Sequence, residues 1–192
     1  MSIETNQQLA AYSLLDALQK RRSRRFGLGM KMTKGPLAFQ SRHAPVPLTE
    51  EEEACLTFAA TGITGYALLD LSFTEEQGGA IVARSLGRTI ASGDAIQNVS
   101  LAVINDEATY LIKRPQDFPA DEVAGLIDGV NRKDFVETYR RMRIKIKDGR
   151  AAPPLAPMFN VNVNRWSLYA PGTSYFLPIN EDRKSTRLNS SH

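Results

Sequence analysis

Two hydrophobic periods run along this chain, and the switches between them mark its elements. Residues 6–20 carry Ala11, Leu14, Leu15 and Leu18 on one side at helical spacing, which predicts an amphipathic helix. Residues 27–47 hold Gly27, Gly29, Gly35, Pro36, Pro45 and Pro47, and that density predicts loop with a turn at Lys34-Gly35-Pro36-Leu37. At Pro47-Leu48-Thr49-Glu50-Glu51-Glu52 a helix begins: Thr49 caps the end and Glu52 reaches back to it, as in a capping box. Glu50, Glu51 and Glu53 suit the positive end of the helix dipole and need no catalytic explanation. Cys55, Phe58, Ala59 and Gly62 follow at helical spacing, which assigns Cys55 to the core and makes Gly62 the stop.

Beyond that helix, residues 66–73 are apolar and fit either a buried strand or a short helix, as do residues 81–86. Gly78-Gly79 and Ser92-Gly93-Asp94 are breaks. Residues 99–104, VSLAVI, read as a buried strand; Asn105-Asp106-Glu107 turns the chain, and residues 109–113 return as the second arm of a hairpin. Residues 121–130 form a helix with Val123, Leu126, Ile127 and Val130 on one face. Residues 135–147 continue as a basic helix or a helix–strand pair, with Arg140, Arg141, Arg143, Lys145 and Lys147 on a solvated face. After an Ala/Pro linker at 151–157, Val161 and Val163 alternate with Asn160, Asn162 and Asn164, the period of a strand with one wet face or one lining a polar pocket. Pro171-Gly172 turns the chain into a short last strand at 173–177.

The chain has 192 residues, 42% hydrophobic and 23% charged, an ordinary balance for one domain with its own core. No apolar run reaches the roughly 18 residues of a membrane helix, and the polar start does not read as a signal peptide. One cysteine and two histidines leave no internal disulfide and no His/Cys metal site to expect, so the setting expected is cytoplasmic and reducing. The net charge of +3 invites a nucleic-acid reading, but it comes from the end of the chain. Residues 183–192, RKSTRLNSSH, carry three of the 24 basic residues and no acid; without them 21 basic residues face 21 acidic ones. That tail has no apolar period and reads as translated adaptor sequence, so the expected domain is 1–182, with part of its native C-terminus cut away. With the tail set aside, and with no aromatics interleaved among the basic residues, nucleic acid is not the expected partner.

The densest chemistry lies at Lys20-Arg21-Arg22-Ser23-Arg24-Arg25-Phe26. Guanidinium forks match phosphate oxygens two at a time, and a hydroxyl among them adds a further donor. Taken alone, the run also reads as a solvated basic helix end that suits the dipole. It precedes, in order, the capped helix running to Gly62-Ile63, the stretch Gly87-Arg88-Thr89-Ile90-Ala91-Ser92-Gly93-Asp94-Ala95-Ile96-Gln97, and the 99–113 hairpin.

That order resembles the nitroreductase family of flavin enzymes, especially its azoline-oxidising dehydrogenase branch, across residues 12–115. The resemblance implies an α+β fold with a central, mainly antiparallel sheet flanked by helices. It implies an FMN-dependent oxidoreductase that takes hydride from NAD(P)H and delivers it to a small electrophilic acceptor, and a homodimer with the flavin in the subunit interface. An Arg-x-Ser-x-Arg motif that grips the FMN phosphate matches Arg21, Ser23 and Arg25, leaving Arg22 and Arg24 to the surface. A Pro-Ser loop beside the flavin matches Ser92 and Gly93, and its glutamine matches Gln97. Ala91 stands where the family has proline, and Ala95 where many members have a flavin-contacting asparagine. These departures bring in an alternative, a non-catalytic descendant of the fold that binds another phosphate-bearing ligand or none.

Overall fold

The computed structural model of the chain describes residues 8, 11–22, 27–66, 86–90, 98–151 and 170–180. In chain order, α1 is Leu14–Lys20, β1 Lys31–Met32, β2 Phe39–Gln40, α2 Glu50–Thr61, β3 Ile63–Tyr66 and β4 Leu86–Arg88. Then come β5 Val99–Ile104, β6 Ala108–Ile112, a single 3-10 turn at Pro115–Asp117, α3 Ala120–Asn131, α4 Phe135–Met142, β7 Arg143–Asp148 and β8 Tyr175–Asn180. The class is α+β. Strands β7-β6-β5-β8 form one four-stranded sheet in that order, every pairing antiparallel, while β1-β2 and β3-β4 are separate two-stranded pairs.

The central hairpin forms where the period-2 pattern predicts it. Asn105 supplies the turn: its Oδ1 accepts from the amides of Glu107 and Ala108, both at 2.9 Å, and its own amide donates to Ala108 O. Such an Asx turn needs the short side-chain carbonyl at this position. The register then pairs Leu101 with Ile112 and Val103 with Tyr110, so one face is apolar. That face meets the helices in a core of Ala54, Ile63, Leu101, Val103, Ile112, Leu126, Val136, Tyr139 and Met142. Burying a set of this kind at roughly 25 cal/mol per Å² of apolar surface is the main term holding sheet to helices.

Three expectations change. The helix expected over 6–20 is interrupted at Ser13, whose Oγ accepts from Asp16 N and starts α1 afresh. Leu14, Leu15 and Leu18, expected on a packed side, are 73%, 70% and 60% exposed. On α2 the capping box is present at both bonds, Glu52 N to Thr49 Oγ1 at 3.2 Å and Thr49 N to Glu52 Oε2 at 2.8 Å. Its buried stripe, however, is Glu53, Ala54, Thr57 and Thr61, with Cys55 half-buried and Ala59 exposed. The helix is rotated so that Glu53 turns inward, because partners from three other elements meet its carboxylate. The last strand runs over Tyr175–Asn180 rather than ending at Leu177; Pro178 is tolerated because β8 is an edge strand. Residues 135–147 resolve into the helix–strand pair α4–β7. The asparagine-rich alternation at 159–166 lies outside the described residues.

Candidate functional site

Two places hold the candidate chemistry, the first of them at the start of α2. One is a cleft of about 440 Å³ whose wall includes Pro47, Glu50, Glu53, Asn105, Arg143 and Ser174. The other is the arginine end of α1.

Glu53 organises the cleft. It is 4% exposed, and its carboxylate accepts from Asn105 Nδ2 at 2.9 and 3.1 Å, from Ser174 Oγ at 3.1 Å and from the Tyr139 hydroxyl at 3.3 Å. The donors come from the β5–β6 turn, the lead-in to β8, and α4. A buried carboxylate is costly unless hydrogen-bonded, and these neutral donors meet that demand. The phenol of Tyr139 is pushed well above its ordinary value, first by burial and then by the charge of Glu53.

Beside it Glu50 holds two guanidinium groups. Arg140 reaches it at 2.5 and 3.1 Å and Arg143 at 2.9 Å. The hydrogen bond from Arg140 and the charges of both arginines hold the Glu50 carboxyl below its usual range, against the opposing effect of partial burial. Arg143 also lies over the rings of Tyr110 and Tyr139, at 4.8 and 4.9 Å from their centroids, which fixes its fork at the cleft wall. The basic face expected over 140–147 is thus partly committed: Arg140 and Arg143 to Glu50, Arg141 to Glu122, Lys145 to Asp148.

The rim is closed by Asp106. Its carboxylate takes the Gly172 amide at 2.6 Å and an ion pair with Arg150, and both pull its pKa down, the amide more. Arg150 in turn donates to Thr173 O at 2.8 Å and lies over the Tyr175 ring.

At the arginine end, Arg21 is the C-cap of α1, and its backbone has left the helical region. Its side chain is exposed and has no partner among the described residues. Arg22 differs, because its guanidinium folds back to donate to Gln19 O at 2.9 Å and Arg21 O at 2.8 Å. Ser23 and Arg25 lie outside the described residues, as do Ser92, Gly93 and Gln97, so of the six predicted contacts only Arg21 is positioned.

The approach to the Ser92 loop is described up to Ile90, and it is fastened to the end of α2. Arg88, half-buried, donates from Nε to Thr61 O and from Nη1 to Val99 O, both at 2.8 Å. Thr89 adds its amide to Gly62 O and its hydroxyl to Phe58 O, each at 2.9 Å. A cation on the last carbonyls of a helix also meets the negative end of its dipole.

Sequence reasoning missed Glu53, Asn105, Tyr139 and Ser174 as one cluster. The one local signal was a fourth acid in a helix start that needs only one for its capping box. Cys55 sits apart, lining a second cavity of about 600 Å³ with Tyr12, Leu48 and Leu56, and its thiol is pushed up by burial and then by Glu51. Among the described residues no group of His, Cys, Asp and Glu side chains is arranged to hold a metal, and no helix is long and apolar enough to cross a membrane. Comparison of the chain with protein-family models, with curated proteins and with solved structures finds no match to any of them.

Proposed function

We propose that this chain is a nitroreductase-like, FMN-dependent oxidoreductase acting on a small electrophilic substrate, with NAD(P)H as donor and a homodimer as its working form. The observation that carries the reading is the state of Arg21: an exposed guanidinium at a helix end, with no partner among the described residues and followed in sequence by Ser23 and Arg25. Two guanidinium groups and a hydroxyl are a donor set that fits a phosphate monoester. Arg21, Ser23 and Arg25 would hold the phosphate, and Ser92, Gly93 and Gln97 would lie beside the ring. When bound, FMN supplies the hydride relay between the nicotinamide and the acceptor, and the protein supplies binding and orientation. The antiparallel sheet flanked by helices is compatible with that family's architecture.

The second reading, a non-catalytic relative that binds another phosphate-bearing ligand or none, is favoured by Ala91 where the family has proline and by Ala95 where many members have a flavin-contacting asparagine.

Incubation with FMN, gel filtration and a visible spectrum separate the two. Flavin absorbance that travels with the protein is expected, and a colourless protein that cannot be loaded rejects the first reading. Arg21→Ala should abolish loading without unfolding the chain. Arg22→Ala should leave loading intact, because that guanidinium is already bonded to its own helix end. Loading that survives Arg21→Ala shows that the grip is elsewhere.

A further inference from the structure

Helix α1 is amphipathic, yet it buries none of its residues. Leu14, Leu15 and Leu18 fall on one side at helical spacing, and all three are exposed. Tyr12, just ahead of the helix, is exposed too, and it lines the hollow of about 600 Å³ that Leu48 shares with Cys55 and Leu56 of α2. Tyr12 and Leu14 are two steps of chain apart, about 7 Å at most, so ridge and hollow adjoin. A single exposed leucine is ordinary, but Tyr12, Leu14, Leu15, Leu18 and the exposed Leu56 lie along one stretch of surface. A soluble chain that stays alone rarely carries such a patch.

Charge decides what covers it. The ridge ends in Lys20, Arg21 and Arg22, and residues 17–22 hold no acid. The hollow carries Glu51 and Glu52 on its wall and, among the described residues, no base. One surface therefore holds an apolar ridge with a positive end beside an apolar hollow with a negative wall. Such a surface complements itself across a two-fold axis, the arrangement of an isologous interface, in which every contact occurs twice. We propose that a second copy of this chain docks here, the α1 leucines of each copy seated in the hollow of the other. The proposal deepens the homodimer reading given under the proposed function and uses nothing of its flavin chemistry.

Light scattering on the full chain over a range of concentrations tests this, with Cys55, the single cysteine, as a reporter in the hollow. A dimer is expected, and maleimide labelling of Cys55 should slow several-fold as concentration rises through the dimer Kd, a readout that needs no variant. Leu18→Glu sets an acid on the ridge against the acidic wall, at a position exposed in the single chain. It should weaken dimerisation by roughly tenfold or more and leave the circular dichroism spectrum unchanged. A dimer that forms equally well in Leu18→Glu, or one in which Cys55 labels at the same rate at every concentration, overturns this surface and leaves the homodimer reading standing. A parent that stays monomeric at every concentration overturns both. FMN enters none of these readouts, so the flavin reading stands or falls separately.

Discussion

The hydroxyl of Tyr139 donates to Glu53 across 3.3 Å, joining α4 to α2 over 86 positions of sequence inside the core. Tyr139→Phe removes one donor and leaves Asn105 and Ser174 in place, so a loss of about 1 kcal/mol is expected in chemical denaturation. Glu53→Gln turns an acceptor into a donor facing other donors, and should lose more, about 1–3 kcal/mol. The phenol adds a pH signature. Its folded pKa is raised, so its contribution is complete below the ordinary value of 10.0 and falls away as pH rises beyond it. A Tm–pH curve that declines above pH 10.0 in the parent and is flatter there in Tyr139→Phe is the expected pair. A parent and variant with parallel alkaline limbs would contradict the assignment.

Acid should act through Glu50. Its carboxyl is held below its ordinary value of 4.5, so the contribution is present above that value and is lost as pH falls through the depressed one. Glu50→Gln is expected to lower Tm at neutral pH and to flatten the curve below pH 4.5. High salt should shrink the difference, since the pair is partly exposed. Thermal melts from neutral to strongly acidic buffer, with and without salt, check all three.

Arg88 gives a stability prediction that its charge alone does not. Its two nitrogens satisfy Thr61 O and Val99 O, and burial lowers its pKa. Arg88→Met keeps the stem and strips both donors, with an expected loss of about 2–4 kcal/mol for two orphaned carbonyls. Arg88→Lys should recover only part of it, because one ammonium lacks the planar fork. Equal stability of Arg88→Met and the parent would show that water replaces the guanidinium without penalty.

Two glycines with left-handed backbone separate strain from crowding. Gly35 has φ +91° and nothing near the position of a β-carbon, so Gly35→Ala should lose only the backbone term, about 1–2 kcal/mol. At Gly29, φ +74°, a β-carbon would lie 2.5 Å from Pro45 Cγ, so Gly29→Ala should lose that amount and an overpacking term of about 1–3 kcal/mol besides. Parallel urea titrations rank them, and equal losses would refute the crowding.

The parts of the fold legible in the sequence are those specified by neighbours. The start of α2 lies within four residues, the 99–112 hairpin in an alternating pattern and an Asx turn, and α3 in a stripe around Leu126. What was not legible depends on distant partners. No periodicity shows that Glu53 will meet Asn105, Tyr139 and Ser174, which lie 52, 86 and 121 positions away. That meeting decides which side of α2 faces inward, and with it the half-buried position of Cys55. At α1 the apolar spacing was real, but a serine able to cap itself a new start outweighed the longer helix. The proposed phosphate grip is the opposite case. It is a local motif, readable at once, of which Arg21 alone has a described position.

Asp106 holds Arg150 and Gly172, and Arg150 holds Thr173, so the connection from β7 to β8 leaves and rejoins the sheet at one carboxylate. The two strands lie on opposite edges, yet their connection is closed at its neck. For the sheet, the length of the excursion is then nearly immaterial: doubling a closed loop adds only about 0.6 kcal/mol of closure entropy. Insertions can accumulate there over evolutionary time, or be spliced in by design, without disturbing strand register. The β5–β6 turn has no such freedom. One residue added there would slide one arm of the hairpin by a step and turn its core-facing side chains toward the opposite face. The same carboxylate therefore sits between a permissive point of the described sheet and an unforgiving one.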